Sequence, residues 1–132
     1  MPGKSAELNH ILVYCDDVAK SVTFYGSLLG MEVITRMEGY ARLVSPRTKT
    51  TLGLHGRMEH KADRRRRRSE DVRLYFEVDD LDGVCRRLKR RGVKFTQGPK
   101  DMPWGWRHAY LKDPDGHEVS LYSAGVRRLR AR

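Results

Sequence analysis

The chain is poor in the features that mark several protein classes. It has only two cysteines, Cys15 and Cys85. Neither belongs to a Cys-x-x-Cys or Cys/His cluster, so a disulfide scaffold, a zinc finger and a thiol redox centre are excluded, and both read as small packed residues. No apolar run approaches the ~20 residues that a membrane-spanning helix needs, so no membrane partner is expected. The opening MPGKSAELNHILV has no basic segment followed by an apolar one. No secretory signal is therefore expected, and a cytoplasmic location is the default.

Acidic residues are also in the minority, 17 against 27 basic ones, for a net charge of +10. Nine of the excess charges sit in Arg64–Arg68 and in Arg127, Arg128, Arg130 and Arg132, so the remainder of the chain is nearly balanced. A nucleic-acid-binding face would spread basic residues across one surface with aromatics interleaved. The run MEHKADRRRRRSED is instead flanked by acids and holds no aromatic. It reads as a solvated loop of like charges. Nucleic acid is not an expected partner; weak, salt-sensitive contact with polyanions is what the loop could add.

What the chain does contain is a repeat of itself. HILVYCDDVAKSV at 10–22 lines up with RLYFEVDDLDGV at 73–84, matching Asp16-Asp17 to Asp79-Asp80 and His10 to Arg73. Further on, LGMEV (29–33) answers RGVKF (91–95). The aspartates can accept bonds from the free N–H groups at a helix start. Val18, Val22, Tyr25 and Leu29 recur at helical spacing, as do Leu81, Val84, Cys85 and Leu88. Gly30 and Gly92 stand where helices end. Strand-like runs follow each glycine: MEVITRME, YARLVSP and TTLGLHG, then VKFTQ, WRHAYLKD and HEVSLYS.

The expected fold is therefore α+β: two tandem βαβββ modules forming a curved, partly closed eight-stranded sheet with helices on the outside. A single domain spans 1–132. Module 1 covers about 7–56, an Arg-rich linker 57–70, module 2 about 71–123 and a basic tail 124–132.

Strand alternation sorts the side chains. His10, Leu12 and Tyr14 share one face of the first strand, and Thr51, Gly53 and His55 share one face of the module's last strand. In module 2, Arg73, Tyr75 and Glu77 share a face, as do Glu118, Ser120 and Tyr122. These mixed faces are the candidate binding surface. DMPWGWRHAYL adds Trp104, Trp106 and Arg107 at a loop or strand entrance. The turn KDPDGHEVSLY (112–122) delivers the last strand: Pro114 fixes φ, the aspartates bond their own backbone, and Gly116 accepts positive φ.

With these elements the chain resembles the vicinal oxygen chelate superfamily, which includes glyoxalase I, bleomycin resistance proteins and extradiol dioxygenases. The resemblance rests on NHILVYCDDVAKSVTFYGSLLGMEV, on WGWRHAYLKDPDGHEVSLY and on the paired βαβββ halves, roughly residues 7–123. It implies a small-molecule ligand and a homodimer. In catalytic relatives it also implies a divalent metal, held by side chains of the first and last strands of each half and polarising two substrate oxygens. Carried over position by position, His10 matches. The other three positions hold Gly53, Arg73 and Ser120. Arginine is a fixed cation and cannot ligate.

The expectation is a glyoxalase/bleomycin-resistance-like protein that binds a small aromatic or polar molecule in a concave cavity, with no metal cofactor and no catalytic residue assigned. Its ligand contacts would be His10, Tyr14 and His55 in module 1. In module 2 they would be Arg73, Tyr75, Trp104, Trp106 and Arg107, with Glu118, Ser120 and Tyr122 on the last strand. The alternative is a metal-dependent lyase, isomerase or dioxygenase using a displaced His10/His55/Glu118 set, two histidines and a carboxylate. Glu118 decides between them: it pairs with Arg73 in the first reading and with a metal in the second.

Overall fold

The computed structural model describes residues 6–57 and 72–124. The Arg64–Arg68 loop and the basic tail lie outside the described residues, and so does any role expected of them. The chain divides into two compact units, residues 1–64 and 65–132. Each is a βαβββ module with a four-stranded sheet, and the eight expected strands are all present as two sheets of four.

In the first unit β1 (His10–Cys15) leads to α1 (Val18–Val22), which continues as a π-helical turn over Thr23–Leu28. Strands β2 (Glu32–Met37), β3 (Tyr40–Val44) and β4 (Thr51–Gly56) follow, and the sheet order is β1-β4-β3-β2. The first and last strands pair in parallel, the others antiparallel. Asp17 caps α1, its carboxylate accepting from the Lys20 N–H at 3.3 Å. The expected α-helix is widened before Gly30: the Leu29 N–H reaches back to the Phe24 carbonyl, five residues away, at 3.1 Å. That wider turn is why consecutive residues, Phe24 and Tyr25, are both buried. They join Cys15, Ala41, Leu43, Leu52 and Leu54 in the core between helix and sheet. A Cβ at Gly26 would lie in ordinary contact with the Met31 carbonyl and the Leu43 side chain, which places this turn directly on the sheet.

The second unit repeats the plan with β5 (Arg73–Glu77), α2 (Leu81–Arg90), β6 (Phe95–Asp101), β7 (Arg107–Lys112) and β8 (Glu118–Ser123). Its order is β5-β8-β7-β6, with β5 and β8 parallel. Leu81, Cys85 and Leu88 of α2 are buried with Ala109, Leu111, Val119 and Leu121 of the sheet. Arg87, Lys89 and Arg90 in the last turn suit the negative end of the helix dipole. The DPDG turn forms as its residues dictate: the Asp113 carboxylate accepts from the Asp115 and His117 N–H groups at 2.9 Å each, and Gly116 takes φ +90°. Both cysteines are buried thiols outside any disulfide, and burial pushes the Cys85 thiol pKa up. No described helix is long and apolar enough to cross a membrane.

Asp80 caps α2 by accepting the Gly83 N–H at 3.0 Å. Replacing a helical glycine by alanine ordinarily stabilises by about 1 kcal/mol. Here the new methyl group would collide with the capping carboxylate of Asp80. Gly83→Ala is therefore expected to give no gain in the native background, yet to stabilise by about 1 kcal/mol once Asp80→Ala has removed the cap. A double-mutant cycle by urea unfolding measures this, and equal gains in both backgrounds would refute it.

Candidate functional site

The helix covers one face of each sheet, and the opposite face carries the mixed side chains. On the second sheet, parallel pairing sets Arg73 opposite Glu118, Tyr75 opposite Ser120 and Glu77 opposite Tyr122. Antiparallel pairing of β7 with β8 then adds Tyr110 opposite Ser120 and His108 opposite Tyr122. Arg73 donates to Glu118 through Nη2 at 3.0 Å and Nε at 3.1 Å, the pairing on which the sequence reading turned. Its guanidinium lies over the Tyr110 ring, 4.5 Å from the centroid, a cation–π contact. The Tyr75 hydroxyl and Glu118 both hold the arginine pKa above its ordinary value, the tyrosine bond being the larger cause.

Beside this pair lies an aromatic cluster. Trp106 stacks on Tyr122 with centroids 4.8 Å apart and planes 8° from parallel. The His108 ring is stacked 5.4 Å from Tyr122, while Tyr75 stands perpendicular to it at 5.8 Å. Trp104 meets His108 edge-on at 5.6 Å. Tyr75 and Trp104 are each about half exposed, so the cluster reaches solvent along these two rings. At its centre His108 is 2% exposed and its Nδ1 lies 2.9 Å from the Ser120 Oγ. Burial lowers its pKa, and the charge of Arg73 lowers it further.

Ten of the eleven expected contacts fall on these open faces or, for Trp104 and Trp106, in the loop bordering one; Arg107 does not. It shares strand parity with Ala109 and Leu111, on the side of α2. There it makes a two-pronged bond to Asp82 of α2, at 3.2 and 3.1 Å, and a third bond to Asp101 of β6 at 3.0 Å. The arginine holds the Asp82 carboxyl below the usual carboxylate range, and the two acids raise the arginine pKa in turn. Arg107 thus ties helix to sheet. The residue that takes its place among the rings is its neighbour His108, which the sequence reading passed over. The signal was available: counting back two residues from Tyr110, opposite Ser120, lands on His108.

The first sheet has an open face of its own. Tyr14 lies opposite His55, with ring centroids 5.8 Å apart, and Tyr40 approaches His55 from β3 at 6.1 Å. Arg42, also missed in the sequence, donates through Nε to the Tyr40 hydroxyl at 2.8 Å and through Nη2 to His10 Nε2 at 3.2 Å. Arginine can only donate, so His10 Nε2 accepts, and Nδ1 donates to the Asn9 Oδ1 at 2.7 Å. His55 Nδ1 donates to the Gly56 carbonyl at 2.7 Å.

The four positions that relatives use for a metal do not supply a donor set here. The His10 lone pair is engaged by a guanidinium. Gly53 offers no side chain, and a Cβ there would sit 3.4 Å from the Tyr40 hydroxyl. Arg73 is a cation paired to Glu118, and Ser120 is a neutral hydroxyl bonded to His108. Of the displaced set, His10 and His55 belong to one unit and Glu118 to the other, and Glu118 is engaged by Arg73. Among the described residues, the group whose ligand atoms lie within 4.8 Å of one another is Asp113, Asp115 and His117. One oxygen of its Asp113 carboxylate, Oδ1, accepts the two N–H groups that close the turn.

The lowered pKa of His108 gives stability a pH dependence. A proton binds this imidazole more readily in the unfolded chain than in the fold. The neutral ring therefore contributes fully above the ordinary value of 6.5, and the contribution is lost as pH falls toward the depressed native value. Tm is expected to fall on acidification from about pH 8 to about pH 5, with part of that fall removed in His108→Phe. Parallel curves for the two proteins would refute the assignment.

Comparison with known proteins agrees with this architecture. The sequence profile of the Glyoxalase/Bleomycin resistance protein/Dioxygenase superfamily matches residues 7–121. The chain is 30% identical over 125 residues to the protein YraH of Bacillus subtilis (strain 168), covering 88% of this chain and 97% of that one. It is 26% identical over 127 residues to a lactoylglutathione lyase of Neisseria meningitidis serogroup A, covering 86% and 88% respectively. A crystal structure of a superfamily member from Sphaerobacter thermophilus superposes with a TM-score of 0.72 at 25% identity, covering 89% of this chain and 98% of that one. The fold, the internal repeat and the profile match agree: the chain belongs to the Glyoxalase/Bleomycin resistance protein/Dioxygenase superfamily.

Proposed function

We propose that this member binds a small planar aromatic or polar molecule on the open face of its second sheet, without a divalent metal. The observation that carries the reading is the composition of that face. Where relatives need metal ligands, it has a paired arginine and a hydroxyl, set beside stacked and partly exposed aromatic rings. Exposed tryptophan and tyrosine rings offer flat apolar area with a polar edge, and this favours stacking of a planar ligand. Arg73 presents a cation whose charge Glu118 balances, so the face can take a polar substituent without burying an unpaired charge. Tyr75, Trp104, Trp106 and Tyr122 are the ring contacts. His10, Tyr14 and His55 form a separate patch on the first sheet.

The lyase named among the relatives invites a metal-dependent reaction, and the displaced His10/His55/Glu118 set is how this chain would have to support one. Each unit commits its share of that set to other partners: His10 to Arg42 and Glu118 to Arg73. The resemblance also implies a homodimer, which belongs to the same proposal.

Protein purified without chelator and dialysed is expected to carry no stoichiometric transition metal. Retained metal that is lost in His10→Ala would overturn the metal-free reading in favour of the displaced site. Naphthalene-2-carboxylate is expected to quench tryptophan fluorescence saturably, and Trp106→Ala to weaken that binding by about ten-fold. An unchanged affinity in Trp106→Ala would remove the ring cluster from the proposed site. Sedimentation equilibrium is expected to return twice the chain mass, and a monomer would overturn the dimer.

A further inference from the structure

Arg57, Arg73 and Arg107 each pair with a carboxylate: Asp16, Glu118, and Asp82 with Asp101. Arg42, on the open face of the first sheet and partly buried, does not. Its Nε donates to the Tyr40 hydroxyl at 2.8 Å and its Nη2 to His10 Nε2 at 3.2 Å. His10 is held in this accepting form because its other ring nitrogen donates to the Asn9 side chain. Both partners of Arg42 are neutral. They orient the guanidinium and balance none of its charge.

The register shows what surrounds that charge. Arg42 stands opposite Thr35 on β2 and Gly53 on β4, and Gly53 stands opposite Leu12 on β1. Strand β4 lies between β3 and β1, so the arginine reaches His10 across β4, beside a residue with no side chain to obstruct it. Glu32 is the only carboxylate on the four strands. It is exposed, opposite Val44, one strand period or ~7 Å from Arg42. Among the described residues it makes no ion pair with Arg42. The remaining nitrogen, Nη1, has no partner among the described residues either, and it is not one of the buried unpaired atoms, so it reaches solvent.

We infer that Arg42 is an anion site on the first sheet, taking the carboxylate of a small molecule whose apolar body lies over Leu12 and Tyr14. A partly buried cation is costly unless an opposite charge meets it. A guanidinium is the side chain best matched to carboxylate oxygens, and Nη1 can donate to one without either existing bond breaking. One unbalanced positive charge calls for one negative charge, which a carboxylate supplies. Leu12 is partly buried and Tyr14 about half exposed on the same face, so the surface next to the charge is apolar and aromatic rather than cationic. Tyr40 and His10 are positioning residues, since they act by fixing the guanidinium. The site belongs to the first unit and does not rest on the second-sheet reading above.

The test follows the Arg42 Nε–H and His10 ring signals by nitrogen-15 NMR while the full chain is titrated with benzoate, acetate, benzamide and inorganic phosphate. Benzoate is expected to shift both signals saturably, and acetate to bind about ten-fold more weakly for want of a ring. Benzamide, of the same shape without the charge, should shift neither. Arg42→Gln should abolish the His10 response to benzoate, and Arg42→Lys, which keeps the charge without the planar fork, should weaken it about ten-fold. No shift at Arg42 with benzoate overturns this inference and leaves the second-sheet reading intact. Phosphate binding as tightly as benzoate overturns the carboxylate assignment. Glu32→Gln is expected to change the benzoate affinity by less than about two-fold, and a ten-fold gain would show that Glu32 occupies the arginine and overturn the open site. Trp106→Ala should leave the Arg42 titration unchanged, and a changed one would overturn the site as separate from the second sheet.

Discussion

Parallel pairing between the first and last strands of each module decides what stands next to what on the open faces. In the second module it places Arg73 against Glu118 and Tyr75 against Ser120, and in the first it places Tyr14 against His55. Because side chains alternate strictly along a strand, a slip of one residue would exchange this polar, aromatic face for the Leu74, Phe76, Val119 and Leu121 face that packs under α2. The buried leucines and valines therefore enforce the register, and the register assembles the site. Buried residues thereby hold the open-face ones in place.

Electrostatically, each open face carries an arginine engaged by polar partners. A divalent metal concentrates charge at a point and demands several anionic or neutral donors around it. A guanidinium spreads a single charge over a plane and is satisfied by one carboxylate or a few neutral acceptors. Arg73 with Glu118, and Arg42 with Tyr40 and His10, are both of the second kind. Such a surface can orient a polar substituent through hydrogen bonds.

Much of this was readable in the residues alone. The repeat of the Asp-Asp dipeptides located both helix starts, and Asp17 and Asp80 do cap them. Alternation placed Arg73, Tyr75, Glu118, Ser120 and Tyr122 correctly, because each lies on a strand whose apolar partners are unambiguous. It was less useful where a strand begins beside a loop. Arg107 opens β7 directly after Trp104-Gly-Trp106, and without the antiparallel register to β8 its parity is undetermined. The charged residue then attracts attention that belongs to His108. Arg42 was hidden for a different reason. It is a lone arginine in YARLV, and its importance comes from the distant His10 it reaches, a relation that local pattern does not carry. The π-helical turn over Thr23–Leu28 was equally invisible, since its widening answers to the packing of Phe24 and Tyr25 against the sheet.

Gly53 and Tyr40 hold a consequence for how such a chain can change. A Cβ at position 53 would come within 3.4 Å of the Tyr40 hydroxyl and 3.6 Å of its ring, so the tyrosine borders whatever side chain stands there. The same hydroxyl receives the Arg42 Nε–H, and Arg42 in turn occupies the lone pair of His10. A side chain introduced at 53 would thus pack directly against the Tyr40 ring, with the histidine engaged by Arg42. Tyr40 and Arg42 therefore link position 53 to His10, and a change at any one of the four is felt by the others.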